Sequence, residues 1–482
     1  MHNMDKTCML TFQSSFLLSF KSNIWIMMLV TLIVLTTVFD WDYVQGQQQQ
    51  QLQQLDPLSQ SPTELNQGMI VELAKPAVVQ VISYSFVMVS VNDWGIIDSL
   101  MEEEMESLEE QDLLDPDDPQ SVEYWRTALL FQDPVRYIGP TDAIRQIEAN
   151  SSSSGSGFVV TPDGYIVTNA HVAFPTQEQI NSNILESAIF SLLNTDYEWV
   201  NSYVTQQLGI TVTEEQMNAY LNALDQYYRQ TLALDSPNSF VFVLSRYSIP
   251  GVQIGEQPIP AEVLPHASGS PIPGKDVAIL KIEATNLPTL PLGNDADLRP
   301  LDDIIVIGYP AAVSTNPVLS PTGQEPSAIT GEFSGYQTTV EGWRAIQVQA
   351  PIAHGNSGGP ALDSSGRVVG IATFGSIDPS TLQEAPGFNF LVPVSIVKDY
   401  LNRANVQPIE SQFTTMYRQA LTEYSAGNFQ ESLNILQQIN ALSPNNPYIL
   451  NYIAKAQQGV AAAPPPTNFP NSPQIGNNNL TR

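Results

Sequence analysis

The chain reads as a mainly β protein with helical additions. Three observations predict that class. Runs of apolar, β-branched and aromatic residues recur at 78–91, 157–160, 166–172, 277–282 and 387–393, the composition of strands. Thr161-Pro162-Asp163-Gly164 separates two of them with the residues of a tight hairpin turn. Apolar residues at helical spacing are concentrated in 176–228 and beyond Arg403.

Residues 1–46 read as a targeting segment. Lys6 and Lys21 precede an uncharged apolar run, 24–39, which is short of the roughly 20 residues of a comfortable membrane span. Cleavage after Val44-Gln45-Gly46 would make the segment a signal peptide; left uncleaved it is a signal anchor and a membrane tether. Either way, Lys21 on the near side places the body of the chain outside the cytoplasm. Residues 47–64, with their glutamines and Asp56-Pro57, form a disordered linker. The lone cysteine, Cys8, precedes the apolar run, so no intramolecular disulfide forms.

The main domain spans 65–403 and carries two insertions. The first, 92–154, is acidic, with Glu102-Glu103-Glu104, Glu106, Glu109, Glu110, Asp112, Asp115, Asp117 and Asp118, and no Lys or Arg between Lys75 and Arg126. It reads as a solvated acidic loop; its carboxylates leave calcium binding open, but their spacing matches no EF-hand and no metal ligands are assigned. The second insertion, 175–238, follows His171. Ile180, Ile184, Leu185, Ala188, Ile189, Leu192 and Leu193 mark one helix, and Met217, Tyr220, Leu221, Leu224, Tyr227 and Tyr228 a second. Thr213 to Gln216 has the pattern of a capping box, and the break falls near Gly209 and Ile210. Such apolar stripes predict helices packed on the main domain. From Ser239 strand character resumes, and 259–264 leads toward Asp276. Residues 410–459 read as a small helical domain, with Gly427-Asn428 splitting its first two helices, and 460–482 as a disordered tail.

Three motifs carry chemistry. Gly355-Asn356-Ser357-Gly358-Gly359-Pro360 presents a serine between glycines, which permit positive φ and close approach of other chain. A serine on such a turn suits a nucleophile whose neighbouring amides form an oxyanion hole. His171 ends the second strand of the Gly155-Ser156-Gly157 hairpin, and Asp276 opens the strand Val277 to Ile282. His354 lies nearer to Ser357 in sequence, but the tight turn between them aims it away.

In the order His, Asp, Ser, these motifs resemble those of the trypsin-like serine proteases, specifically the HtrA/Deg branch. Val172 stands where digestive enzymes usually have cysteine, and 387–393 with the amphipathic stretch 395–401 resembles the last strand and closing helix of HtrA proteases. The resemblance covers roughly 70–403 and implies a chymotrypsin-like double six-stranded β-barrel. By resemblance, Ser357 is the nucleophile, His171 the base and Asp276 its orienting partner, with the amides of Gly355 and Ser357 as oxyanion hole. Pro351 and Ile352 would form one wall of the substrate cleft and Phe374 and Gly375 the other, with Thr373 of the same substrate-binding strand behind the triad. Pro351 occupies the place of the trypsin-type pocket aspartate, which predicts a preference for small or medium apolar P1 residues. No cofactor is implied; the partners are protein or peptide substrates and, by family habit, two further copies in a homotrimer. Protein quality control outside the cytoplasm is the family's usual role. Ala420, Tyr424, Gly427, Phe429, Leu433 and Pro444 resemble one tetratricopeptide repeat, and no PDZ domain is visible.

Composition bounds the alternatives. The chain has 482 residues and 43% hydrophobic content, enough for two or three packed domains. With 18 basic against 49 acidic residues the net charge is −31, which excludes nucleic acid as a partner because clustered Lys and Arg are lacking.

Overall fold

The computed structural model describes residues 66–244, 258–314, 318, 324–377 and 384–462. The segment 1–46, the linker 47–64 and the tail beyond 462 lie outside these. Among the described residues, no helix is long and apolar enough to cross a membrane.

Two antiparallel barrels form the body. The first is built from β1 (Val78–Ile96), β2 (Ile138–Val159), β3 (Tyr165–Thr168), β5 (Asn238–Leu244), β6 (Ile259–Val263) and β7 (Ala278–Lys281), with the short β4 (Ala233–Leu234) added to β1. Its sheet runs β2-β3-β7-β6-β5-β1, and β2 also pairs with β1, so the strands return on themselves. The second is a closed six-stranded barrel of β8 (Asp303–Gly308), β9 (Ser327–Thr338), β10 (Arg344–Val348), β11 (Pro360–Leu362), β12 (Val368–Ile377) and β13 (Glu384–Pro393). Closure removes the exposed edges that open sheets must otherwise protect.

A shared core joins the barrels. Val78, Phe158, Val167 and Ile279 of the first pack with Ile305, Ile307, Leu362, Ile371 and Val392 of the second. Two helices seal this seam: α1 (Gln67–Ala74), capped by the Asn66 side chain, adds Ile70, and a closing helix Val394–Arg403 adds Val397, Tyr400 and Leu401.

The acidic insertion differs from the expected loop. β1 and β2 run on past the barrel as a long hairpin, paired from Val78 opposite Phe158 to Ile96 opposite Ile138 with one register shift between Asn92 and Trp94. Between them lie α2 (Glu102–Glu110) and α3 (Pro119–Leu130). Glu102, Glu103, Glu106, Glu109 and Glu110 are exposed on α2, whereas half-buried Glu104 accepts from Arg136 Nη1 and the Tyr137 hydroxyl; Glu102, Glu103 and Glu104 suit the helix's first turn electrostatically. Met101, Leu129, Leu130 and Phe131 are buried.

They are buried against the other insertion. α4 (Gln177–Trp199) and α5 (Glu214–Thr231) each begin with a formed capping box, Thr176–Gln179 and Thr213–Gln216. Between them α4 runs into a π-helical stretch, Val200–Thr205, and the chain turns at 206–213. Ile180, Ile184 and Ala188 pack on Val87, Val89 and Ala149 of the hairpin. Farther out, Leu192, Val204, Tyr220, Leu224 and Tyr228 share one core with Met101, Leu130, Phe131 and Tyr137. The two insertions, far apart in sequence, therefore build a single module at the hairpin tip. Its polar centre is Asp196, buried, which accepts from Trp94 Nε1 and Arg145 Nη1, each at 3.2 Å, and from the Tyr228 hydroxyl. Arg145 also pairs with Asp93. Burial, and then the Asp196 carboxylate, push the Tyr228 hydroxyl far above its ordinary range, so it acts as a neutral donor.

With the closing helix as α6, the C-terminal helices are α7 (Gln412–Ser425), α8 (Phe429–Leu442) and α9 (Pro447–Ala462). Gly427, at φ +79°, breaks α7 from α8. Tyr417, Tyr424, Phe429 and Tyr452 meet edge-on between the helices. The unit docks on the first barrel: Thr289 N–H donates to Thr414 Oγ1 at 2.9 Å, Ser411 N–H to Thr289 Oγ1 at 2.8 Å, and Ile409 N–H to Val160 O at 3.1 Å.

Candidate active site

The serine turn lies where the barrels meet. A type II turn leads into it: Asn356 N–H donates to Ala353 O at 3.0 Å and Gly355, the third turn residue, has φ +93°. Glycine is needed there because a Cβ would stand 2.3 Å from Tyr309 O. The His354 carbonyl accepts from Ala311 N–H at 2.7 Å. In a trans peptide the next N–H points the opposite way, so the Gly355 N–H faces away from Ala311. Neither that N–H nor the Ser357 N–H donates to an acceptor among the described residues. Gly358 has φ +86°, and a Cβ on it would meet Ser156 O at 2.0 Å.

His171 follows the strand predicted to carry it. β3 stops at Thr168, and the histidine stands in a one-turn helix, Ala170–Ala173. Asp276 likewise precedes its strand by two residues and has φ +39°, a region that costs a non-glycine residue free energy. That conformation is held from several sides. Asp276 Oδ2 lies 2.8 Å from His171 Nδ1, and Oδ1 accepts from His171 N–H at 3.0 Å. Thr373 Oγ1 donates to Oδ2, and Asn169 Nδ2 donates to the Asp276 carbonyl at 2.8 Å. Asp276 is fully buried while the imidazole is partly exposed. With Nδ1 held by the carboxylate, the imidazole keeps Nε2 for other work. The Ser357 hydroxyl donates to Thr373 O at 3.2 Å rather than to the imidazole.

Ser156 is a functional neighbour that the sequence reading passed over. Its buried hydroxyl donates to Gly355 O at 2.7 Å and accepts from Tyr309 N–H at 2.8 Å. Its N–H donates to Ser357 O at 2.7 Å. One residue thus holds the carbonyls on both sides of the Asn356–Ser357 peptide. The Gly-Ser-Gly spelling was the available signal: a polar side chain between two glycines that leave it room.

The predicted cleft residues separate. Thr373 supports Asp276, Phe374 stacks on Phe390 with centroids 4.8 Å apart, and Gly375 and Pro351 are exposed. Ile352 is buried in the core of the second barrel with Ile304, Val306 and Leu391. Asn389 of β13, not predicted, stands beside this cleft: its Nδ2 donates to Ala350 O at 2.8 Å. Among the described residues, no cluster of three or more His, Cys, Asp or Glu converges as a metal site.

Closed barrels meeting at a glycine-framed serine, with a carboxylate-held histidine alongside, define a trypsin-like peptidase domain. Residues 155–371 match the family model of that description, "Trypsin-like peptidase domain". Relatives place the domain within that class. The mitochondrial serine protease HTRA2 of Bos taurus is 34% identical over 135 residues, which are 27% of this chain and 26% of the relative. The serine endoprotease DegS of Haemophilus influenzae is 34% identical over 131 residues, 27% of this chain and 36% of the relative. A probable periplasmic serine endoprotease, DegP-like, of Hahella chejuensis is 25% identical over 294 residues, 60% of this chain and 41% of the relative. The domain is an HtrA-type trypsin-like serine protease domain. The chain spans between 26% and 41% of the length of these relatives.

Proposed function

We propose that this chain is an exported serine endopeptidase that hydrolyses peptide bonds of proteins through Ser357, His171 and Asp276. His171 takes the Ser357 proton as the hydroxyl attacks the scissile carbonyl and returns it to the leaving amine. Asp276 keeps the imidazole in the useful tautomer and stabilises its charged form. The amides of Gly355 and Ser357 receive the developing oxyanion, each contributing on the order of 3 kcal/mol to the transition state. Water then resolves the acyl-enzyme. The observation that carries this reading is the 2.8 Å contact of His171 Nδ1 with buried Asp276, beside a serine turn whose Gly355 and Ser357 amides donate to no acceptor among the described residues.

Action outside the cytoplasm follows the periplasmic designation of one relative and the apolar run 24–39, which acts as signal peptide or membrane tether. Protein quality control is the corresponding role. We read the C-terminal helices as a tetratricopeptide-like unit and the working form as a homo-oligomer, a trimer by resemblance. A latent form of the same enzyme is the second reading, favoured by one observation: the Ser357 hydroxyl is engaged by Thr373 O. Digestion of an unfolded protein such as casein tests the proposal. Wild type is expected to release peptides and Ser357→Ala none. Equal release by both, or none by wild type at any pH or protein concentration, would overturn it.

A further inference from the structure

Among the described residues, Asp276 is the one buried non-glycine residue with positive φ. Asp112, Asn286, Leu301, Asn405 and Asn445 share that conformation but are exposed. At Asp276 the strain lies inside the molecule, at the residue that faces the imidazole. Its N–H is settled by Ser270 O at 2.9 Å. Its carbonyl receives no backbone N–H among the described residues, and Asn169 Nδ2 supplies the hydrogen bond instead, at 2.8 Å.

Asn169 directly follows β3, two residues before His171, and is itself fully buried. A carbonyl only accepts, so the end of the amide that faces Asp276 is the nitrogen. The other end, Oδ1, is buried and has no hydrogen-bond partner among the described residues. A side chain that satisfies one buried group and strands an oxygen of its own adds little to stability. It does fix the direction of the Asp276 carbonyl, and with it the backbone that aims the carboxylate. Both carboxylate oxygens depend on that aim: Oδ1 meets His171 N–H and Oδ2 meets His171 Nδ1. A turn of the Asp276 backbone toward the ordinary region moves both oxygens away from the histidine together.

We propose that Asn169 is a positioning residue: its amide holds Asp276 in the left-handed conformation, and through Asp276 it sets the tautomer and orientation of His171. This rests on the peptidase reading above and extends it to the contact that keeps the aspartate in a costly shape. Asn169 also borders the serine turn, since a Cβ on Gly358 would stand 3.1 Å from its backbone nitrogen. An effect on catalysis has therefore two routes to be separated, one through Asp276 and one through the turn.

A double-mutant cycle of Asn169→Ala with Asp276→Ala separates them, read by peptide hydrolysis, by the rate of fluorophosphonate labelling at Ser357 and by urea unfolding. In the wild-type background Asn169→Ala is expected to lower kcat and the labelling rate by ~10²-fold, with KM within about twofold and unfolding still cooperative. In the Asp276→Ala background the same change is expected to alter the labelling rate by less than about twofold, because the group it acts through is gone. Equal losses in the two backgrounds overturn the proposal. So does a single variant that labels at the wild-type rate. Wild type that neither labels nor cleaves rejects the peptidase reading itself, a separate outcome. Asn169→Leu and Asp276→Asn stand in for alanine variants that do not fold; if neither Asn169 variant folds, Asn169 serves the fold and the proposal is overturned.

Discussion

Around Ser357 the chain is held by close backbone approach and individual short hydrogen bonds, whereas at the tip of the β1–β2 hairpin it is held by packed side chains. At the junction, glycines at 355 and 358 remove Cβ atoms that would collide with Tyr309 O and Ser156 O, and short hydrogen bonds from Ser156 fix the carbonyls. At the tip, a large aromatic and aliphatic core surrounds Asp196, Arg145 and Tyr228. The first arrangement sets positions of individual atoms, which transition-state chemistry needs. The second sets stability and shape, and tolerates repacking provided its buried charges stay paired. The two regions should therefore respond to mutation in different observables.

The largest separation is expected from Ser357→Ala. Hydrolysis should fall by roughly 10⁴-fold or more while the unfolding midpoint in urea stays close to wild type. A substantial residual rate would mean that the junction is not the site of chemistry. Arg145→Met should do the reverse. It leaves the buried Asp196 without its guanidinium, which should cost about 3 kcal/mol or more in denaturant unfolding. The rate per folded molecule should not change. A lost rate at full folding would tie the module directly to catalysis. Ser156→Ala probes the boundary between the two behaviours. It removes the hydroxyl that Gly355 O and Tyr309 N–H bond to, for about 1–3 kcal/mol, and should lower kcat more than it raises KM, because the peptide groups flanking Ser357 lose their support. Restoration of kcat by Ser156→Thr would separate the hydroxyl from the bulk of the side chain. The smallest effect is expected from Thr213→Ala, which removes one capping box of α5: about 1 kcal/mol in unfolding and none in activity.

The same contrast explains what could be read in the sequence. The junction is written in short local strings, since a glycine at a positive-φ turn or a Pro-Asp-Gly hairpin needs no distant partner to be recognised. The serine turn, the histidine hairpin, the aspartate and the capping box at Thr213 were legible for that reason. Long-range pairing was not. The glutamates of 102–110 suggested a loop, because nothing local reveals that Met101 and Leu130 face Tyr220 from a segment far along the chain. Asn389 was hidden in an apparently apolar strand, although one amide among phenylalanines was itself a signal. The docking of the C-terminal helices through Thr289, Ser411 and Thr414 depends on hydroxyls that carry no local pattern.

The central claim is that Ser357 is a nucleophile activated by His171, and it is tested most directly by covalent capture. Wild-type protein treated with a fluorophosphonate and digested should show one adduct, on the peptide containing Ser357. His171→Ala should slow its formation by roughly 10³-fold or more. An adduct on another residue, or labelling of Ser357 at an undiminished rate without His171, would contradict the account.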